Sequence, residues 1–302
     1  MKKRVLELID IFEKDNPGCE AIALYQDGEI IIDHRFKKSP PRLIYSHTKS
    51  FISTLCGMAI DEGKLKLDDK LADFFPEYAE CIVDERVKEI ELGHLLTMSS
   101  GFGGAFLMSG NRRRGEGFPD YIRYMLSKET KYAPGEKFVY SNADTHLAGC
   151  MAERALGQPL YIYACENLFS KLGLGYPTWE MCPHGTIFGG SGLYLDILDM
   201  MKLGILYLNG GEYGGERIVS SEWVKQAGTK KISTDVNTAW SGGYGYQFWT
   251  IEGREGAFRA DGAYGQLSIV LPDSNAVLAT QCSEYNDQAR FFEMLQKVCI
   301  YG

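Results

Sequence analysis

The spacing of apolar residues predicts strands near both ends of the chain and helices between them. Residues 18–36 alternate around Asp27-Gly28, a dipeptide typical of β-hairpin turns. Further strands are predicted in the last quarter, at 243–253, 256–260, 264–271 and 276–282. Helical spacing occurs in segments 1–18, 46–63, 92–102, 120–131, 143–157, 159–172, 195–208 and 286–299. In the first of these helices Val5, Leu6, Ile9 and Phe12 are expected to face inward.

This order of elements predicts an α/β (α+β) fold in which one antiparallel sheet is built from both termini. Residues 1–45 and 210–302 would form the sheet-containing region, and residues 46–209 a mainly helical insertion. The two regions cannot be separated as continuous segments. Because sites often form where such regions meet, we expect a functional site in the cleft between them.

Composition excludes several classes of function. A net charge of -8 and a pI near 5.3 disfavour nucleic acid as a partner. No apolar run approaches the roughly 18 residues of a membrane helix, and Glu7 and Asp10 interrupt the only basic, apolar opening that could be a signal peptide. A cytoplasmic protein without a membrane partner is therefore expected. No oligomeric state is predicted.

The cysteines and histidines do not have the spacing of metal sites. The eight cysteines include no CxxC pair, and the five histidines include no HExxH motif. Without an export signal, the thiols are expected to be reduced and mostly buried. The turn at 189–193 is rich in glycine but has neither GxGxxG spacing nor a Walker lysine. We therefore expect no metal, phosphate group or other cofactor.

Ser46 and Lys49 lie at the start of the predicted helix that ends at Gly63. A spacing of three places both side chains on one helix face, about 5–6 Å apart at Cβ. A serine becomes a nucleophile when a neighbouring base takes its proton, and both burial and the positive helix end favour neutral lysine. The pair is a candidate for nucleophilic catalysis. The alternative is a capping serine beside a solvated lysine.

Arg112, Arg113 and Arg114 form a basic run in a segment that is expected to be a loop. Such a run could attract an acidic substrate. The preferred interpretation is a solvated, screened loop.

Three motifs occur in chain order, namely Ser46-x-x-Lys49, Tyr140-Ser141-Asn142, and Ala260-Asp261-Gly262 before an apolar strand. With their flanking segments they cover nearly the whole chain. The pattern resembles the penicillin-recognising serine hydrolases, in particular the class C β-lactamase-like branch. That branch also holds esterases, D-amino-acid peptidases and aminohexanoate-oligomer hydrolases. The resemblance implies a β-lactamase/D,D-peptidase-like fold.

The resemblance also implies a role for each matching residue. Ser46 would be the acylated nucleophile, and Lys49 would accept or relay its proton. Tyr140 would pass a proton to the leaving group; whether Lys49 or Tyr140 is the working base stays open. Asn142 would hold a substrate amide and help to position Lys49. The backbone N–H groups of Ser46 and Ala263 would form the oxyanion hole.

The third motif departs from that of β-lactamases and cell-wall peptidases, in which a cation comes first and a hydroxyl residue second. Ala260 and Asp261 occupy those positions here. Asp261, Gly262 and Ala263 are still expected to line the substrate, which must approach this strand closely. Without the cation, and with an added carboxylate, the sequence predicts a neutral or cationic substrate end at this place and poor hydrolysis of penicillins.

The sequence thus predicts a serine hydrolase that cleaves an amide or ester bond of a small molecule through an acyl-enzyme on Ser46. One alternative is a β-lactamase or D,D-peptidase in the strict sense. A second is a non-catalytic ligand-binding or sensor protein of the same fold.

Overall fold

Strands from both ends of the chain pair with one another in the computed structural model, which describes residues 1–38, 40–235 and 242–301, without the side chain of Cys299. The described strands are β1 (Cys19–Gln26), β2 (Glu29–Arg35), β3 (Arg42–Leu43), β4 (Tyr194–Leu195), β5 (Glu212–Tyr213), β6 (Glu216–Arg217), β7 (Gly243–Tyr244), β8 (Trp249–Thr250), β9 (Phe258–Gly262), β10 (Gln266–Leu271) and β11 (Ala276–Cys282). Seven of them form an antiparallel sheet in the order β2-β1-β11-β10-β9-β8-β7. Because β1 lies beside β11, the predicted sheet from both termini is confirmed.

The described helices lie mostly in the predicted segments. They are α1 (Lys2–Lys14), α2 (Thr48–Asp61), α3 (Leu92–Leu96), α4 (Ser109–Arg112), α5 (Tyr121–Leu126), α6 (Asn142–Leu156), α7 (Leu160–Ala164), α8 (Ser170–Leu172), α9 (Ile197–Leu208), α10 (Ser221–Gly228) and α11 (Gln288–Leu295). The helix predicted over 92–102 already ends at Leu96, because Met98 adopts a positive φ of 58°. The apolar spacing did not predict α10, nor α4, which lies in the segment around Arg112 that was expected to be a loop.

Helix α1 packs against the sheet with one stripe of side chains. Val5, Leu8, Ile9 and Phe12 are buried there, with the three- and four-residue spacing of one helix face. The expectation that Leu6 faces inward is wrong, since 45% of its surface is exposed. Position 6 lies off the stripe, and Leu8 takes its place in the core.

A second, larger core lies on the other face of the sheet. It includes Ala21 of β1, Leu55 of α2 and Val277 of β11. Helix α2 is buried from Thr48 to Ala59, so it runs through the interior as the central helix of this layer. The core therefore joins residues of both predicted regions.

Among the described residues, no helix is both long enough and apolar enough to cross a bilayer. The seven cysteines whose side chains are described are free thiols, and six of them are buried, as expected for most of them.

Candidate active site

Ser46 lies in a tight turn that leads into α2. The segment Tyr45–His47 is a 3₁₀ turn, and the α-helix begins at Thr48. This corrects the expectation that the α-helix starts at Ser46. Tyr45 has a φ of 49°, an uncommon conformation for an aromatic residue and one that often marks functional sites. The turn is anchored to the sheet by buried His47, whose Nε2 lies 2.9 Å from Oγ of Ser268.

Lys49 is buried behind Ser46. Only 1% of its surface is exposed, so the alternative of a solvated lysine is wrong. Its Nζ lies 3.1 Å from Ser46 Oγ and donates to Asn142 Oδ1 at 2.6 Å and to the Gly190 carbonyl at 2.5 Å. Burial holds the pKa of Lys49 well below its usual value, and the positive charge of Arg112 lowers it further.

Tyr140 lies beside both Lys49 and Ser46. The Lys49 Nζ is 4.9 Å from the centre of the tyrosine ring, which stacks on Trp249 at 6.0 Å. Burial raises the pKa of Tyr140, a hydrogen bond with Ser46 opposes this shift, and the charge of Asp261 adds to it. The phenol therefore keeps its proton at neutral pH.

Asn142 is the first residue of α6, which is capped by Ser141 through a bond from the Ala143 N–H at 3.2 Å. The Asn142 oxygen accepts from Lys49, and its Nδ2 donates to the Leu107 carbonyl at 3.1 Å. Both the oxygen and the nitrogen of the Asn142 side-chain amide are therefore hydrogen-bonded to groups of the protein. This geometry supports the positioning of Lys49, and the substrate contact stays a prediction.

The end of β9 lies directly against the backbone before Ser46. A Cβ atom on Gly262 would be 2.2 Å from the Ile44 carbonyl oxygen, so only glycine fits there. The next turn is joined to the nucleophile turn by an edge contact between the Tyr264 and Tyr45 rings at 5.1 Å. The backbone of exposed Ala263 is thereby held beside the Ser46 turn.

Asp261 is not a free carboxylate. Buried Arg259 donates to it from Nε at 2.8 Å, so the two charges compensate each other. Both side chains lie on one face of β9 and Ala260 on the other, as strand alternation requires. The expectation that Asp261 would attract an amine loses its basis, although its charge still acts on Tyr140.

The glycine-rich turn at 189–193 has a role that sequence reasoning missed. A Cβ atom on Gly190 would be 2.5 Å from that of Asn142, and one on Gly189 would be 2.6 Å from the Thr145 carbonyl oxygen. The glycines let this turn approach α6 closely enough for the Gly190 carbonyl to reach Lys49. The two consecutive glycines, Gly189 and Gly190, were the feature of the sequence that could have indicated this close approach.

Arg112 is also part of the site, and the interpretation of it as a solvated loop residue is wrong. Its side chain is only 10% exposed, lies 3.7 Å from the centre of the Phe188 ring and pairs with Glu180. Its Nε donates to the Leu107 carbonyl at 3.1 Å, the same oxygen that accepts from Asn142. Nothing in the sequence separates Arg112 from its exposed neighbours in the run.

Two cavities border these residues and share part of their walls. One, of about 670 Å³, is lined by Tyr45 and Ala263. The other, of about 440 Å³, is lined by Arg112, Glu180 and Ser191. We call the two together the cleft. In the described part of the chain, no three His, Cys, Asp or Glu side chains converge as a metal site would require.

The chain is similar to several known proteins. The 6-aminohexanoate-dimer hydrolase of Paenarthrobacter ureafaciens is 24% identical over 296 residues, which cover 92% of this chain and 74% of that protein. A family VIII carboxylesterase has a TM-score of 0.74 at 17% identity, over 98% of this chain and 96% of that one. A penicillin-binding protein homologue of Pyrococcus abyssi has a TM-score of 0.73 at 20% identity, over 100% of this chain and 77% of that one.

The two solved structures show the same fold, which confirms the β-lactamase/D,D-peptidase-like architecture implied by the motifs. The family model described as Beta-lactamase matches residues 19–291. With most of its length matched by this model, the chain belongs to the beta-lactamase family, whose relatives above include hydrolases.

Proposed function

We propose that this chain is a serine hydrolase that cleaves an amide or ester bond of a small molecule through an acyl-enzyme on Ser46. Lys49 and Tyr140 carry out the proton transfers. The names of the relatives, an aminohexanoate-dimer hydrolase and a carboxylesterase, support an amide or ester as the substrate.

The observation that carries the proposal is the environment of the Lys49 amine. A neutral amine has two N–H groups and one lone pair. The shortest contacts of Nζ are with two oxygens that can only accept, those of Asn142 and Gly190. In the neutral amine these oxygens would take both N–H groups, and the lone pair would then be left to accept from the Ser46 hydroxyl, whose Oγ lies 3.1 Å from Nζ. This geometry supports Lys49 as the base and Ser46 as the nucleophile.

The reaction follows from these protonation states. The Ser46 oxygen attacks the substrate carbonyl carbon while its proton moves to Lys49 Nζ. The Tyr140 phenol, which keeps its proton, donates it to the leaving nitrogen or oxygen as the scissile bond breaks, and it recovers a proton from Lys49. Water then attacks the acyl ester and gives its proton to the same pair, which releases the acid and restores Ser46.

The oxyanion of the tetrahedral intermediate would be held by the backbone N–H groups of Ser46 and Ala263. The contact between Gly262 and the Ile44 carbonyl supports this assignment, because it holds the two segments side by side. Backbone donors need no reorganisation during the reaction, which makes such a pair effective.

Covalent labelling tests the proposal. After treatment with a fluorophosphonate probe, intact-mass measurement is expected to show one adduct, which Ser46→Ala abolishes together with the hydrolysis of a 4-nitrophenyl ester. Ser109→Ala is the matched control, because this exposed serine lines the cleft and takes no part in the proposed chemistry. An adduct that persists in Ser46→Ala would contradict the assignment. Efficient penicillin turnover would instead favour a β-lactamase.

A further inference from the structure

We propose that Arg113 binds a carboxylate on the acyl part of the substrate, so that the protein prefers substrates with one anionic end. This inference rests on the proposed function and specifies its substrate class. The anion site would lie on the helical side of the cleft, and not at the third motif, where the sequence has no cation.

The position of Arg113 is the first argument. It lines both cavities of the cleft, as do Leu43, Ser109 and Tyr194, so these residues form the wall where the two cavities meet. One cavity begins at Ala263, whose N–H would hold the substrate carbonyl oxygen. An acyl chain that leaves this point along the cavity reaches the wall that carries Arg113.

The second argument is that other cations of the cleft are engaged with carboxylates. Arg112 pairs with Glu180, and Arg42 pairs with Glu20. Among the described residues, Arg113 has neither an ion pair nor a side-chain hydrogen bond. Its planar guanidinium is therefore available for a two-point contact with a carboxylate.

Carboxylates in the cleft make the charge distribution asymmetric. Glu284 lies at the Ala263 end and accepts a hydrogen bond from the Tyr45 hydroxyl. Glu180 is compensated by Arg112, and Asp261 by Arg259. An anion is therefore disfavoured at the Ala263 end and favoured at Arg113. A substrate with a single carboxylate, placed away from the reacting carbonyl, fits this pattern.

Matched 4-nitrophenyl esters test the inference. The acyl parts are those of adipic acid, adipamic acid and 6-aminohexanoic acid, which end in a carboxylate, a carboxamide and an amine. We expect kcat/KM to be about 5- to 10-fold higher for the carboxylate than for the carboxamide, the scale of a partly exposed ion pair. The preference is expected to shrink at high salt.

Two charge-reversal variants separate a local contact from a general charge effect. Arg113→Glu is expected to abolish the preference for the carboxylate or to turn it into a preference for the amine. Arg114→Glu is the matched control: Arg114 has the same charge, lies next in sequence and donates to Asn111, but it lines neither cavity of the cleft. It is expected to keep the preference within about twofold.

Binding to the Ser46→Ala variant provides a readout that does not depend on turnover. In calorimetric titrations with the N-methylamides of adipic and adipamic acid, the carboxylate ligand is expected to bind about 5- to 10-fold more tightly. Adding Arg113→Glu is expected to remove this difference. Equal binding of the two ligands, or equal effects of Arg113→Glu and Arg114→Glu, would overturn the inference while leaving the hydrolase proposal intact. Loss of the Ser46 adduct and of all ester turnover in the unmodified protein would instead overturn the proposed function.

Discussion

Lys49 is surrounded by groups that oppose a positive charge on its amine. Its side chain is buried, and the Arg112 guanidinium acts on it from the region of Leu107 and Asn142. A base must be unprotonated, so activity is lost as the pH falls through the pKa of Lys49. Because burial and the charge of Arg112 hold that pKa well below its usual value, the acidic limb of the pH profile is expected well below the pH at which an exposed lysine loses its proton.

Arg112→Met is expected to move the acidic limb of the kcat/KM profile to higher pH. The substitution removes the positive charge near Lys49 and leaves Glu180 without its partner, and both changes raise the lysine pKa. Arg112→Lys keeps the positive charge, so the acidic limb is expected to stay close to its pH in the unmodified protein. The measurement is kcat/KM against pH for a neutral ester. If both variants lower kcat/KM without shifting the limb, Arg112 acts only as a structural residue.

At the level of elements, the site depends on close contact between backbone segments. The end of β9 approaches the turn before α2 with no room for a side chain at Gly262, and the turn at 189–193 approaches α6 with no room for one at Gly190. Closely packed segments cannot absorb a small displacement, so a shift at one of these contacts moves the neighbouring segment as well. A single methyl group at one of these glycines therefore displaces the groups that perform the chemistry.

Gly262→Ala is expected to lower kcat/KM by at least about 10-fold and stability by about 1–3 kcal/mol, the usual cost of overpacking. The new methyl group would meet the Ile44 carbonyl oxygen at 2.2 Å and push Ala263 away from Ser46. Gly149→Ala is the control: in α6 its methyl group would lie 3.4 Å from Ile52, an ordinary contact. Alanine is favoured within a helix, so unchanged activity is expected. Equal losses in both variants, measured by kinetics and urea unfolding, would contradict this argument.

On the scale of the whole molecule, the sheet and the larger core tie the two ends of the chain to its middle. Strand β1 pairs with β11, and the larger core contains residues from β1, α2 and β11. The larger core therefore contains residues from both predicted regions, 1–45 with 210–302 and 46–209. Their boundary describes the topology and does not separate two hydrophobic cores.

We therefore expect the chain to unfold in urea as one cooperative unit. Trp179 reports on the helical middle, and Trp249, in β8, reports on the sheet. The chain has four tryptophans, so variants that keep only Trp179 or only Trp249, with the other three replaced by phenylalanine, would isolate the fluorescence of each. The midpoints from each probe and from far-UV circular dichroism are expected to coincide, which is the standard test of two-state behaviour. Separate midpoints would show that the middle unfolds independently of the sheet.

Local patterns determined a large part of this protein. The hairpin around Asp27-Gly28 and the order of the main helices follow from periodicity and turn chemistry, which act over a few residues. The SxxK spacing and the Tyr140-Ser141-Asn142 motif identified the residues that the fold brings together around Lys49. Helix bounds such as the end of α3 do not follow from apolar spacing, because a single positive φ at Met98 ended the helix.

Tertiary structure alone decided the electrostatics of the site. Three adjacent arginines look alike in sequence, yet the Arg112 side chain is only 10% exposed and pairs with Glu180, while Arg113 is exposed and lines both cavities of the cleft. Likewise, only the fold shows that Arg259 compensates Asp261 and that the Gly190 carbonyl reaches Lys49. Charges and pKa values depend on burial and on partners that are distant in sequence, so they became visible only when the whole chain was folded.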